Sequence, residues 1–337
     1  MPQPTLGDVH VNRPLTIMSV GYQQDATDFV AGNVFPQIPV PNKSDVYYIY
    51  NRGDFFRNNM KKRAPGTPAV AGGYKLATAT YIADVWAEKK IIDDQIRANS
   101  DSPLAPDKDA TQWLTMQALI NRDVNWCDAY FKAGVWGTDI TGVPSGTPTP
   151  GSQVLQWDKN GSTPVADVLA GHKVMKAATG KFPNTLVLGT DTYFALLTNA
   201  EIIDRLKYGQ TAPGPVTVST NDLAQLFKVK RVLVASAIQT SSAEDMVPNS
   251  DTTPDTFGFI AGKHAALYYS ADSPGIFEAS AGYTFNWTGL MGATAGGMRI
   301  KKYRWEIDSA DHVEIESAYT FGLVAKYLGY FFSGVVA

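Results

Sequence analysis

Cysteine is nearly absent. Cys127 stands alone among 337 residues, so no disulfide can close within the chain. That usage fits maturation in a reducing compartment such as a cytoplasm. Long hydrophobic runs are missing as well: nothing approaches the ~18 consecutive apolar residues a membrane-spanning helix needs. Residues 1–15 also lack the basic-then-apolar order of a secretion signal. The sequons at Asn42, Asn160 and Asn286 therefore read as chance. There is no excess of positive charge either. Lys plus Arg number 29 against 32 Asp plus Glu, a net charge of -3, which excludes a nucleic-acid reader of the basic-patch kind. What is present is a globular composition, 44% hydrophobic and only 18% charged, with a charge-poor surface suited to meeting other protein. The length suits roughly two domains.

Motifs that carry chemistry are scarce. A phosphate loop needs spaced glycines leading into Lys-Ser or Lys-Thr, and Gly180-Lys181-Phe182 has neither the earlier glycine nor the hydroxyl. His10, His172, His264 and His312 are too scattered to argue a metal site, and read as surface or satisfied structural residues. No Gly-x-Ser-x-Gly elbow occurs, and Cys127 reads as a buried, inert thiol. The acids Asp93, Asp94, Glu244, Asp245, Glu306, Asp308, Asp311, Glu314 and Glu316 are local in sequence; they read as solvated or as surface charge pairs. Arg52-Gly53-Asp54 matches an adhesion tripeptide, a match too short to weigh. The reading is of a non-enzyme with no cofactor, no metal and no catalytic residue.

Along the chain, prolines 2, 4, 14, 36, 39 and 41 make residues 1–45 an extended arm with little core of its own, to be ordered by neighbouring copies. Residues 45–92 predict a long hairpin with strands at Asp45 to Tyr50 and Ala77 to Ala87. Between them lies a tip too long for a tight turn, carrying Arg52, Phe55, Phe56, Arg57, Lys61, Lys62 and Arg63 before a run of Pro and Gly. A partner-bound tip and a merely solvated loop are equally compatible with this pattern. Residues 106–133 predict a helix roughly 40 Å long. Pro106, Asp107 and Asp109 mark its start, Gly134 its end, and Trp113, Met116, Ile120, Val124, Cys127 and Phe131 an apolar stripe. Residues 137–164 read as a linker, and a mixed α/β segment follows. It opens with a helix capped by Thr163, then a strand at Thr185 to Leu188 and another at Arg231 to Ile238. Two last strands, Met298 to Ile307 and Val313 to Leu328, face each other across a turn.

Several segments in this order carry a family resemblance: Arg63-Ala-Pro-Gly66, Thr185-Leu-Val-Leu-Gly189, Leu223-Ala-Gln-Leu-Phe227 and Arg231-Val-Leu-Val-Ala235. Phe259-Ile-Ala-Gly-Lys263, Ser280-Ala-Gly-Tyr-Thr-Phe-Asn-Trp-Thr-Gly289 and Leu328-Gly-Tyr-Phe-Phe332 complete the set. With arm, hairpin and long helix they resemble the major capsid proteins of tailed bacteriophages, which share the Johnson fold. That resemblance implies an α+β chain in four parts: an N-terminal arm at 1–45, an extended β-hairpin loop at 46–92, a peripheral domain and an axial domain. The peripheral domain would combine 93–159 with 296–337 around the spine helix, and a mixed α/β axial domain would span 160–295. It further implies pentamers and hexamers closing into an icosahedral shell around double-stranded DNA touched without sequence specificity. The hairpin would lie over an adjacent subunit, which makes Arg52, Phe55, Phe56, Arg57, Lys61, Lys62 and Arg63 the expected subunit-contact residues. The expected partners are a separate scaffolding protein, a portal and a decoration protein, with no membrane; the chain is expected in the virion after assembly in the host cytoplasm. An encapsulin-like compartment shell and a phage tail structural protein are the alternatives.

Overall fold

The structure is a computed structural model that describes residues 23–100, 104–209, 218–242, 256–275, 277–292 and 297–337. The first half of the expected arm, His10, Glu244 and Asp245 lie outside them.

The described part of the arm is not free of the body. A 3-10 turn at Ala26–Asp28 leads into α1 (Ala31–Val34) and β1 (Gln37–Val40), and Phe29, Val30, Ala31, Val34 and Phe35 are all buried. Side chains clip this stretch in place. The amide of Gln24 both donates to and accepts from the Ile238 backbone at 2.8 Å, and the Ser236 hydroxyl donates to Asp28 at 2.6 Å. The expectation that neighbouring copies must order this stretch is thus corrected: apolar residues between the prolines supply an internal anchor. Pro39 sits inside β1, which is tolerated because that strand lies at a sheet edge, bonded to one neighbour alone.

The hairpin forms from β2 (Ser44–Tyr50) and β3 (Leu76–Ile82), antiparallel with Ser44 opposite Ile82 and Tyr50 opposite Leu76, and α2 (Arg52–Phe55) follows the first limb. The expected second limb is split. Ala83 is wholly buried and its N–H donates to Lys43 at 2.8 Å, which turns the chain so that β4 (Asp84–Asp93) joins a different sheet. Next come α3 (Asp94–Asn99) and the long α4 (Pro106–Tyr130), with Pro106 and the two acids in its first turn as expected. The helix stops three residues short of 133, and Gly134 takes φ 86° beyond it.

The expected linker contains two strands, β5 (Asp139–Val143) and β6 (Gln153–Leu155). Then follow α5 (Pro164–Thr179), β7 (Thr185–Gly189), α6 (Thr190–Thr198), α7 (Ala200–Gly209), α8 (Thr220–Leu226) and β8 (Arg231–Ala235). The Thr163 side chain does not cap α5; Glu201 accepts from the Val165 N–H at 3.0 Å instead. A short ribbon pairs β9 (Ile238–Thr240) with β10 (Phe257–Phe259). The remaining elements are β11 (Ala265–Tyr268), β12 (Gly282–Trp287), α9 (Thr288–Met291), β13 (Met298–Trp305), β14 (Ala310–Leu323) and β15 (Gly329–Ser333).

Two sheets organise these strands. One runs β1-β12-β14-β13 with β4 on the other edge of β14, and the second runs β6-β5-β15-β11-β7-β8. Sheet membership departs from the division expected from sequence: β5, β6 and β15 belong with β7, β8 and β11, whereas β12 belongs with β13 and β14. The second sheet is buried on both faces, as strict alternation shows. Leu186, Leu188, Leu267, Tyr330 and Phe332 point into one core with Val168 and Met175 of α5. Val187, Ala266, Tyr268 and Phe331 point into another with Val34, Phe35, Trp126 and Tyr130. Each such large side chain contributes roughly 1.5–3 kcal/mol by leaving water. Close backbone approach completes the packing. A Cβ at Gly142 or Gly189 would collide with the carbonyl oxygen of Gly334 or Gly262, so neither position admits a side chain.

The buried face of α4 also differs from expectation. Ala110, Leu114, Asp123, Trp126 and Tyr130 face inward; of the expected stripe Trp113, Met116, Ile120, Val124 and Cys127 are half-buried, and only Phe131, just past the helix, is buried. The helix crosses β4 and β14 and then the second sheet, so its inward side follows those partners and not the largest apolar count.

Candidate subunit-contact surface

The hairpin is rooted on the first sheet by aromatic contacts. Tyr81 stacks on Phe285 at 4.6 Å between centroids, and Tyr47 meets the same ring at 5.6 Å. Such pairs contribute about 0.5–1.5 kcal/mol each beyond burial. Along the two limbs Val46, Tyr48, Leu76 and Ile82 stay at least half exposed.

At the start of the tip Asn51 accepts from the Gly53 N–H at 3.1 Å and so begins α2. Arg52 then reaches back to its own chain. It donates to the Ala178 carbonyl at 2.7 Å and lies 4.1 Å from the centroid of the Tyr327 ring. A cation at the C-terminal end of α5 is favoured there by the helix dipole. Phe55 joins Tyr50 and Tyr74 at 5.8 and 5.6 Å, and Phe277 adds to Tyr50 at 5.3 Å. Phe55, Tyr74 and Phe277 remain at least half exposed. Phe56, 64% exposed, lies beside Gly180. Arg57 pairs loosely with Asp54 at 3.7 Å, and Asp54 also accepts from the Lys75 N–H at 3.0 Å, drawing the base of the loop together.

Beyond this point the tip is open. Lys61 and Lys62 are exposed and have no ion pair among the described residues, and Arg63 bonds within the loop to the Thr67 carbonyl. Met60 is 93% exposed. The seven residues expected at one contact surface thus divide into two groups. Arg52 and Phe56 lean on the chain's own body and Phe55 on an aromatic cluster, while Arg57, Lys61, Lys62 and Arg63 present positive charge to solvent. Tyr50, the last residue of the first limb, and Tyr74, two residues before the second, escaped the sequence reading as contact residues. Phe277 and Tyr327 carried no signal, being more than 200 residues away in the chain.

Of the acids read as solvated or as surface charge pairs, Asp94, Asp311 and Glu316 are paired within the chain. Arg97 bonds Asp107 at 3.0 Å and also Asp311, and Arg304 bonds Asp94. The Arg97 bond holds the Asp311 carboxyl below its usual range, and Arg304 does the same for Asp94. Burial pushes Glu316 up, but hydrogen bonds from Lys301 and Arg299 outweigh it and leave the group low. The Glu316 bonds are cross-strand pairs between β13 and β14, whereas Asp94 and Arg97 reach the same sheet from α3. Of the histidines, His264 accepts from the Gly334 N–H at 3.0 Å, while His172 is buried with the Phe227 backbone beside its ring and His312 is buried 3.8 Å from Asp308. Among the described residues no cluster of three His, Cys, Asp or Glu could hold a metal ion, and no helix is long and apolar enough to cross a membrane.

No family model matches the chain. The major capsid protein of Burkholderia phage BcepMu is 29% identical over 173 residues, 50% of this chain and 50% of that protein, so the match spans about half the length of this relative. In three dimensions a phage-related protein from Bordetella bronchiseptica matches with TM-score 0.65 at 18% identity, over 96% of this chain and 97% of its own. The mature capsid of bacteriophage PhiM1 matches with TM-score 0.58 at 13% identity over 98% of both chains. An encapsulin complex from Synechococcus elongatus also matches, with TM-score 0.54 at 11% identity over 100% of this chain and 98% of its own. In sequence over half its length and in fold over nearly all of it, the chain resembles phage major capsid proteins, and its fold is the Johnson fold of capsid shells.

Proposed function

We propose that the chain is a major capsid protein that self-assembles into pentamers and hexamers, forming the icosahedral head around the double-stranded DNA of a tailed phage. Its role is structural, with no chemical step. The observation that carries this reading is the hairpin, rooted by Tyr81 on Phe285, that presents an aromatic and basic tip away from any core of its own. Surface of this kind, on a chain with the capsid fold, suits contact with a neighbouring copy. We assign the contact to Arg57, Lys61, Lys62 and Arg63 with the exposed faces of Phe55 and Phe56, while Arg52 aims the tip by holding it to Ala178 and Tyr327. The peripheral part is drawn along the first sheet with α4, and the axial part along the second sheet with α5. A separate scaffolding protein, a portal and a decoration protein are the expected partners in the virion, with assembly in the host cytoplasm and non-specific contact to DNA.

An encapsulin-like compartment is the second reading, favoured by the full-length match to the Synechococcus encapsulin. A tail protein is disfavoured by the 25-residue helix α4 lying across a sheet. Electron microscopy of the purified chain, alone and with a co-expressed scaffold, decides. Closed shells with fivefold and sixfold capsomers are expected. A monodisperse monomer under every salt and scaffold condition overturns the shell reading, and shells that capture a neighbouring enzyme in place of a portal favour the compartment.

A further inference from the structure

Outside the hairpin, a surface pocket of about 680 Å³ opens between α5 and the turn after α8. Leu169 and Phe182 give it apolar walls, and Lys173, Lys176 and Lys228 line it with three positive charges and no acid. Lys228 holds a left-handed backbone, φ 55°, a conformation that costs a non-glycine residue about 1 kcal/mol or more. None of the three lysines has an ion pair among the described residues; Lys176 donates to the Gly180 carbonyl at 2.5 Å and lies over Phe182 at 4.7 Å. His172 completes the lining. It is only 6% exposed, with the Phe227 backbone beside its ring, and burial holds the imidazole below its usual range. Such a hollow suits an apolar side chain flanked by carboxylates.

The chain carries a group of that description elsewhere. At the turn between β13 and β14, Ile307 is 84% exposed, and the flanking side chains of Glu306 and Asp308 are 83% and 51% exposed. Each has one loose neighbour in its own chain, Arg304 at 3.5 Å from Glu306 and the His312 ring at 3.8 Å from Asp308, and both carboxylates stay largely open to solvent. Knob and pocket belong to different sheets of the fold and are complementary in charge and polarity. We propose that this pocket receives the Glu306-Ile307-Asp308 turn of a second copy of the chain, with Ile307 against Leu169 and Phe182 and the two carboxylates on the lysines. A contact between two unlike patches is heterologous, the kind that propagates from copy to copy and closes a ring or shell when the rotation permits. The inference deepens the shell reading by naming one contact that builds the assembly.

The test uses the full chain without DNA, with assembly followed by light scattering and folding checked by circular dichroism. Lys173→Glu with Lys176→Glu, and separately Glu306→Lys with Asp308→Lys, are each expected to raise the concentration for half-assembly by about tenfold, because like charges then meet at every contact. Combining all four changes restores assembly. If each pair assembles as the parent does, or the combination is no better than either pair, the proposal is overturned. It is equally overturned if the lysine variant assembles normally when empty and loses only its retention of a DNA duplex, since phosphate then occupies the pocket. A labelled peptide spanning 303–311, titrated into the parent and the lysine variant, separates this inference from the shell reading. Binding to the parent alone upholds the pocket even if no shell forms, and equal or absent binding refutes it.

Discussion

Asp123 lies 2% exposed beneath the arm, where its two oxygens accept the N–H groups of Val30 and Ala31 at 3.0 and 2.9 Å. Burial pushes its carboxyl up from 3.8 to about 6, against the pull of those bonds and of Arg122. Between these values the folded chain keeps a proton that the unfolded chain has lost. The stability this gives is complete below pH 3.8 and disappears as pH rises through about 6. Two units correspond to about 3 kcal/mol. Asp167, also pushed up to about 6 by burial, adds a slope of the same sign. Urea denaturation of Asp123→Asn at pH 4.5 and pH 7 is therefore expected to show a smaller loss between the two than the parent; an unchanged slope would show that Asp123 does not titrate there. Cys127, one turn further along α4, has its thiol pushed well up by burial. Slow labelling of the folded chain by a thiol reagent is expected, and Cys127→Ala should cost about 1 kcal/mol. The place of Cys127 on the helix was legible from the apolar spacing. Asp123 was not, because a carboxylate on a helix reads as solvent-facing until the chain that covers it is known.

Among the elements, the spine helix was visible as a unit but its inward face was not. Proline and acids at the start and glycine at the end are local signals, and α4 keeps them. The rotation of the helix depends on what it packs against, and Trp126, wholly buried between arm and second sheet, outranks the predicted stripe. Trp126→Ala is expected to lower stability by about 3–5 kcal/mol, and Trp113→Ala, half-buried beside Lys90, by clearly less. Equal losses measured by thermal or urea unfolding would restore the stripe read from sequence. The break at Ala83 follows the same logic. Residues 77–87 alternate without interruption, so the turn that hands β4 to another sheet has no local mark beyond a small residue that can be buried in a bend.

At the scale of the whole molecule, the hairpin tip decides between protein and DNA as its target. Lys61→Glu, Lys62→Glu and Arg63→Glu together are expected to weaken assembly of DNA-free particles. Each exposed pair contributes only about 0.2–1 kcal/mol, but symmetry repeats the loss at every subunit. Normal empty particles that fail on filling would move the tip to phosphate binding. The sequence by itself determined the class of fold, the hairpin and the spine helix. All of these rest on local spacing, turn chemistry and composition, together with a family pattern spread along the chain. Tertiary structure alone decided that the arm is anchored by Gln24, Asp28 and Phe35, that β15 leaves the last hairpin for the second sheet, and that Arg52 and Phe56 lean on their own body. Those outcomes depend on contacts between residues more than 200 positions apart, where the choice of partner follows from shape and burial that no short stretch of chain contains.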